Sequence, residues 1–359
     1  MTDTQKKKGM KSVPKQLLQW AGALMLCAFI MNLLMFGLYH PVNELPRSGG
    51  ASPGLKDYPD YGLYGFEGYA RQTIDSRGYV NPDLPLEEHP WIIVGASHAE
   101  GFHTGKGRRC SDLLNKSFGY TDSLKFCNIS HSEYFLTDIV ERYEAIQQEF
   151  PGMAGIIIDI DDTGADPGKL REALDHPKSY DPSRDSLAAL KEQASSGQRL
   201  AYGIKRLTPG LRELSLQYQS YIKSRQGEDM DRLSHEEEER DEGAYLGQYE
   251  EVMGEALEYL AEVPFDVIIV CHPGVIINED GTMTCGSEAT DDIMERLCKE
   301  SGITYIDMRD AFLESYENSH TVPFGFMNTS PATGHINDSA HRMMADALYE
   351  VIRRKAGAP

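Results

Sequence analysis

Three apolar runs constrain the fold of this chain more than any other feature. WIIVG at 91–95, AGIIIDI at 154–160 and FDVIIVC at 265–271 are nearly continuous and rich in β-branched residues. A strand with one face in water alternates apolar and polar side chains, so runs of this kind belong to strands covered on both faces. Between the first two runs, YFLTDIVERYEAIQQEF at 134–150 places Phe135, Ile139, Tyr143 and Ile146 at helical spacing. A strand, a helix and a second strand in succession are most simply joined as a right-handed crossover in a parallel sheet. GITYIDMRDAF at 302–312 adds a late short strand, and SAHRMMADALYEVIRRK at 339–355 a closing amphipathic helix. The expected class is α/β, with a parallel central sheet between helical layers.

The compact domain is expected over 89–359, a length sufficient for one large α/β unit carrying an insertion. Residues 40–88, rich in Pro, Gly, Asp and Tyr and including PRSGGASPG at 46–54, read as a linker followed by irregular cover. Residues 168–224 read as mostly helical, 225–243 are almost uniformly polar and acidic, and 245–261 are helical again, which places a predominantly helical insertion at about 168–261. EEEER at 236–240 reads as a solvated face or loop.

Residues 17–39 contain no Asp, Glu, Lys, Arg or His, and a helix of this length spans roughly 30 Å of hydrocarbon. A cleaved signal peptide has a shorter apolar core and a small-residue cleavage site, whereas this run exits through Tyr39-His40-Pro41-Val42. The tail at 1–16 carries Lys6, Lys7, Lys8, Lys11 and Lys15 against Asp3. That asymmetry predicts a cytoplasmic tail, a transmembrane helix over 17–39 and an extracytoplasmic main domain of a single-pass membrane protein.

Removing the five tail lysines and Asp3 from 35 basic and 56 acidic residues leaves 30 and 55, a net charge of −25 for the rest. Such a field disfavours nucleic acid and anionic lipid headgroups. Outside the apolar run stand Cys110, Cys127, Cys271, Cys285 and Cys298, an odd number, so at least one is free or pairs between chains. Cys110 with Cys127, and Cys271 with Cys285, are candidate bridges. No cysteine has CxxC or metal-ligand spacing, which speaks against a thiol redox enzyme and a structural zinc site. The carboxylates of DIDD at 159–162 are hard donors, but their spacing matches no calcium loop, and a cap or turn cluster is the simpler reading.

The chemistry resides in two distant segments. WIIVGASHAEG at 91–101 places Ser97 at the mouth of the first strand, where a turn directs a side chain into the crevice at the carboxyl end of a parallel sheet. TGHINDSAHRMMADAL at 333–348 brings His335, Asp338 and His341 to a helix entrance. A hydroxyl nucleophile and a base suggest acyl transfer. The GxSxG elbow is absent because Ala99 takes its second glycine position. His98 and His103, close to Ser97 in sequence, are alternative bases but read first as substrate contacts or surface groups, and Glu100 is similarly secondary.

Gly95-Ala96-Ser97-His98-Ala99-Glu100-Gly101 resembles the GDSxxxG segment of the SGNH/GDSL hydrolase superfamily, with Ala96 in place of the usual Asp. CNISHSEYFLTDI at 127–139 resembles the second block of that family, and Glu133 matches the glycine whose amide serves the oxyanion hole. IIIDIDDTGAD at 156–166 stands where the third block carries Asn, with Asp161, Asp162 or Thr163 near that place and Thr163 the better hydrogen-bond donor. Gly334-His335-Ile336-Asn337-Asp338-Ser339-Ala340-His341 is similar to the HxNxxGH ending. The resemblance implies the three-layer, flavodoxin-like fold of that superfamily and a Ser97–His335 pair. The usual acid three residues before the histidine is absent, since Ala332 occupies that position, while Asp338 lies three before His341 and offers the alternative pair Asp338–His341. Asp338 also reads as a helix cap, with Ser339 or Asn337 as neighbours able to do the same.

The resemblance implies a membrane-anchored serine esterase or O-acyltransferase that needs no cofactor or metal. Its substrate would be an O-acylated glycan or another envelope ester, and a membrane-complex partner fits the anchor. A phospholipid esterase is a second reading. An inactive scaffold or carbohydrate-binding component is a third, supported by the departures at Ala332, Glu133, Ala340 and the third block.

Overall fold

The computed structural model describes residues 15–38, 60–64, 67–73, 75–77, 79–131, 134–177, 242–327 and 329–355, with isolated positions between 195 and 218. The first element is helix α1 (Lys15–Leu38). Its segment Gln16–Leu34 has a mean hydropathy of 1.9 and none of it is buried. It is long and apolar enough to cross a membrane or to act as a signal sequence.

Two short strands follow, β1 (Asp60–Tyr64) and β2 (Tyr69–Thr73), paired antiparallel. The chain then enters the main sheet through β3 (Leu86–Gly95), α2 (Ser97–Glu100), α3 (Cys110–Ser117), β4 (Leu124–Asn128), α4 (Leu136–Glu149) and β5 (Gly155–Ile160). It continues through α5 (Pro167–Asp175), α6 (Glu242–Ala261) and β6 (Asp266–Cys271). A small hairpin, β7 (Val275–Ile277) and β8 (Met283–Cys285), leads to α7 (Asp291–Glu300), β9 (Thr304–Asp307), α8 (Arg309–Ser319) and α9 (Asp338–Lys355).

The main sheet has five strands in the order β4-β3-β5-β6-β9, and every neighbouring pair is parallel. By chain order within the sheet this is 2-1-3-4-5, the doubly wound arrangement whose topological switch point falls between β3 and β5. All three apolar runs are strands of this sheet, and the late strand and closing helix are present as the periodicity predicts.

Alternation along β3 shows why the runs must be continuous. Ile92 and Val94 join one buried cluster with Ile156, Ile158, Ile139, Tyr143 and Leu257. Trp91 and Ile93 face the other way, into a cluster with Leu114, Ile157, Phe312, Met344 and Leu348. Helices α4, α5, α6 and α7 therefore cover one face and α3, α8 and α9 the other.

The helices that bound the expected insertion are themselves core elements. Leu170 of α5 and Tyr249, Met253, Ala256 and Leu260 of α6 are buried in the first cluster. Asp166 starts α5 by accepting the Lys169 N–H at 2.9 Å, with Pro167 at the first helical position. The acidic stretch at 225–241 lies outside the described residues. All six cysteines are free, so neither candidate bridge is formed.

Gly155 sets the spacing of β5 against its neighbours. A Cβ at this position would lie 2.3 Å from the Trp91 ring and 2.7 Å from the Asp266 carbonyl oxygen, contacts that only backbone movement relieves. Gly155→Ala should lower unfolding stability by about 1–3 kcal/mol, measured as a shift in the urea midpoint. An unchanged midpoint would show that the sheet yields at this point.

Candidate active site

Ser97 begins one turn of helix two residues beyond β3. That turn is closed by Glu100 N–H donating to the Ala96 carbonyl at 3.0 Å and Gly101 N–H to the Ser97 carbonyl at 3.2 Å. The Ser97 amide precedes these bonds, where a helix has no internal acceptor for its N–H. His335 sits on the loop entering α9. Its carbonyl accepts Gly325 N–H at 3.0 Å, and the Asn337 side chain accepts Ser339 N–H at 2.9 Å to cap the helix. Asn337 thus does the capping expected of Asp338.

Ser97 Oγ and His335 Nε2 are 2.8 Å apart. On the other side of the ring, His335 Nδ1 lies 3.0 Å from Glu67 Oε2, and the same oxygen accepts the His335 backbone N–H at 2.6 Å. A carboxylate can only accept here, so Nδ1 carries the proton and the Nε2 lone pair faces the serine hydroxyl. Burial works to raise the Glu67 carboxyl, but hydrogen bonds and charge from His335 outweigh it and hold the group below the usual carboxylate range.

Glu67 comes from the connection between β1 and β2, inside the segment that reads from sequence as linker and cover. Nothing in its local sequence marks it, because its role depends on contacts made across the fold. Ala332, at the place where the resemblance expects an acid, has a left-handed backbone with φ 61°. Gly334 leaves room for Glu67: a Cβ there would lie 2.5 Å from its carboxylate, and φ is +81°.

The alternative pair is not assembled. Asp338 forms its ion pair with Arg108, while buried His341 accepts the Cys110 N–H through Nδ1 at 3.4 Å. Glu133 lies outside the described residues. Thr163 is fully buried, and its hydroxyl lies 2.8 Å from Thr290 Oγ1 and donates to Asp291 Oδ1 at 2.6 Å. That hydroxyl ties the end of β5 to α7. In the second block, Asn128 donates to the Ala99 carbonyl at 2.8 Å and accepts Ser130 N–H at 2.9 Å, fixing the turn below Ser97.

Four imidazoles stack beside the serine. Ring centroids are 4.9 Å apart for His272 and His98, 4.7 Å for His98 and His335, and 4.5 Å for His335 and His103. One end of the row is held by Asp159, whose Oδ1 is 2.6 Å from His272 Nδ1. At the other end His103 Nδ1 lies 2.8 Å from the Glu67 carbonyl oxygen. Burial, then the neighbouring His272 and His335, push His98 down to about 2. It stays neutral and does not oppose a positive charge arising on His335. Burial works to lower His272, but Asp159 prevails and raises it. His272 directly follows the third apolar run, and a polar residue at that strand end was the available signal for its place in the crevice.

No family model matches the chain, and no curated protein matches it. Among solved structures it is similar to a two-domain esterase active on acetylated mannans, co-crystallized with mannopentaose, at 12% identity and a TM-score of 0.39, covering 74% of this chain and 49% of that one. A Bacillus subtilis protein, YxiM, gives 11% identity and a TM-score of 0.41, with 77% and 59% covered. The acetyl xylan esterase AlAXEase gives 14% and 0.38, with 73% and 99% covered. This chain thus spans about half of the first and three-fifths of the second, and the chemistry rests on the distances above.

Two outcomes follow from the packing of the site. Gly334→Ala should displace the Glu67 carboxylate and lower any Ser97-dependent ester turnover on the order of 10²-fold, the scale of a misplacement of about 1 Å; wild-type turnover would show that Glu67 is not required where it stands. Separately, His98 is held at about 2 and His341, by burial and then the charges of His272 and Arg109, at about 3. Unfolded, both take up protons near pH 6.5, which the folded state refuses. The contribution of these two histidines to stability should therefore be full above that pH and fall below it, by up to about 1.4 kcal/mol per pH unit for each, against the opposite contribution of the raised His272. Urea melts of wild type and His341→Gln between pH 7 and 5 check this, the variant showing the shallower decline.

Proposed function

We propose that the chain is an SGNH-like serine esterase or O-acyltransferase with Ser97 as nucleophile, His335 as general base and Glu67 as orienting acid. The observation that carries this is the continuous hydrogen-bond chain from Ser97 Oγ through both ring nitrogens of His335 to the Glu67 carboxylate. Its assembly favours an enzyme over an inactive scaffold, because a scaffold has no need of an acid recruited from a distant hairpin.

The steps follow from the geometry. His335 Nε2 takes the Ser97 proton as the oxygen attacks an ester carbonyl, and the Glu67 carboxylate stabilises the imidazolium that forms. The amide of Ser97, at the first turn where a helix offers it no internal acceptor, would donate to the developing oxyanion. The proton returns to the leaving alkoxide, giving an acyl-serine. Water, or an acceptor hydroxyl, then attacks with His335 again as base. Hydrolysis and transfer differ only in which nucleophile reaches the acyl-serine.

The substrate class we infer is an O-acylated glycan or another envelope ester, in keeping with the sequence resemblance. The apolar α1 supports an enzyme tethered at a membrane with its catalytic domain outside, and in that position a phospholipid ester is the competing substrate.

Purified full-length protein should form a covalent acyl or phosphonyl adduct at Ser97 with an activated ester or phosphonate. Ser97→Ala should abolish the adduct, and His335→Ala should slow turnover at least about 10³-fold. Glu67→Gln should cost at least about 10²-fold, since an amide can hold the wrong tautomer. Turnover of an acetylated glycan, a glycerophospholipid and a short-chain ester, scored as free acid or acylated acceptor, separates the substrate readings. Undiminished turnover in Ser97→Ala would eliminate the mechanism.

A further inference from the structure

Around His335 converge Glu67 and His103, and the acyl-transfer steps give His103 no part. Glu67, His103 and His335 each offer one ligand atom, and these atoms all lie within 4.8 Å of one another. The His103 ring is held through Nδ1 by the Glu67 carbonyl oxygen at 2.8 Å. A carbonyl only accepts, so Nδ1 is protonated and Nε2 keeps its lone pair. This is how metal-binding imidazoles are commonly fixed, with the second nitrogen donating to a backbone carbonyl.

The spacing also suits an ion. Glu67 Oε2 and His335 Nδ1 are 3.0 Å apart, close to the roughly 3.3 Å between two ligands that each stand about 2.0–2.1 Å from a tetrahedral metal. Two imidazoles and one carboxylate leave a fourth position for water. Such a donor set suits zinc and its neighbours, whereas calcium and magnesium prefer oxygen alone.

We infer that Glu67, His103 and His335 form an inhibitory site for a divalent transition metal of the zinc type, which turns the Ser97 chemistry off. The inhibition rests on the Ser97–His335 reading; the binding does not. One ion would displace the proton on His335 Nδ1, releasing it to solvent, and would take the Glu67 carboxylate as a ligand. An imidazole bonded to a dication is a poor proton acceptor at Nε2, so Ser97 loses its base. Removal of the ion restores the Nδ1 proton and the bond to Glu67.

Binding is measured on full-length Ser97→Ala, which is free of turnover, by competition between the protein and a chromophoric chelator for zinc. One ion per chain and release of about one proton are expected. His103→Ala added to Ser97→Ala should weaken zinc binding by about 10–100-fold, the range for disrupting support of a metal site. Asp162→Asn should leave the affinity unchanged, which separates this site from adventitious binding to surface carboxylates. In the Ser97-active protein, zinc should block ester turnover, a chelator should restore it, and magnesium or calcium should not substitute. His103→Ala, normalised to its own metal-free rate, should need at least about tenfold more zinc for half-inhibition. Zinc affinity unaffected by His103→Ala would overturn the site. Binding that depends on His103 but leaves ester turnover untouched would overturn the inhibition. Binding that depends on His103 in a protein with no Ser97-dependent activity would uphold the metal site and refute the esterase reading.

Discussion

Everything at the candidate site depends on the parallel strands ending at one level. The register aligns Gly95 with Asp159 and Ile160 with Cys271, so the residues leaving β3, β5 and β6 emerge along a single edge. Backbone bonds extend that alignment past the strands: His131 N–H to the Gly95 carbonyl at 3.0 Å, His272 N–H to the Ile160 carbonyl at 3.0 Å and Met308 N–H to the Cys271 carbonyl at 2.9 Å. Parallel sheets place ligand crevices at this edge because the crossover helices diverge at the switch point. A slip of one residue in β5 would turn Asp159 to the opposite face, among Ile156 and Ile158, and strip His272 of its partner.

Upon that edge the protein places more imidazole than acyl transfer needs. Stacked rings tolerate one another only if their protons are controlled, since adjacent imidazolium ions repel. Of the four rings, His272, His335 and His103 each lie against a carboxylate or carbonyl oxygen. Asp159 supports His272, Glu67 supports His335, and His98 between them is denied a proton by burial. The ring that would gain and lose charge in the proposed mechanism is thus the one facing both Ser97 and a carboxylate. Phe324 lies edge-on to His98 at 5.8 Å.

The fold and half of the candidate site are legible in the sequence for a common reason: both are written in local pattern. Continuous β-branched runs specify strands buried on two faces, and Ile92 and Ile93 are buried on opposite faces of the sheet. Ser97 can be found because it terminates such a run, and His335 because it enters a periodic helix. Glu67 carries no local pattern, and His272 shows only its place at the end of the third run. The first lies 268 positions from the ring it contacts, and the second owes its importance to Asp159 on a neighbouring strand. Thr163 shows the reverse error, since its hydroxyl has the right chemistry for an oxyanion donor yet is occupied by Thr290 and Asp291. Residue type identifies what a group can do, and tertiary contact decides whether it is free to do it.

Drawing the acid from the β1–β2 hairpin changes what holds the site together. When acid and base share one short loop, local backbone geometry sets their separation. Here the Glu67 carboxylate reaches His335 only if the hairpin docks, and closing so long a loop has an entropic cost that local contacts must offset. Several meet that need: the His103 ring bonds the Glu67 carbonyl, Phe326 and the His103 carbonyl crowd Gly68, and Asp75 gathers the backbone N–H groups of Arg77 and Tyr79 and the Asn81 side chain. Asn81 in turn exchanges hydrogen bonds with the Asn128 backbone at the end of β4. The hairpin is therefore fastened to the same sheet edge that presents Ser97, and Glu67, His335 and Ser97 are positioned by one continuous set of contacts.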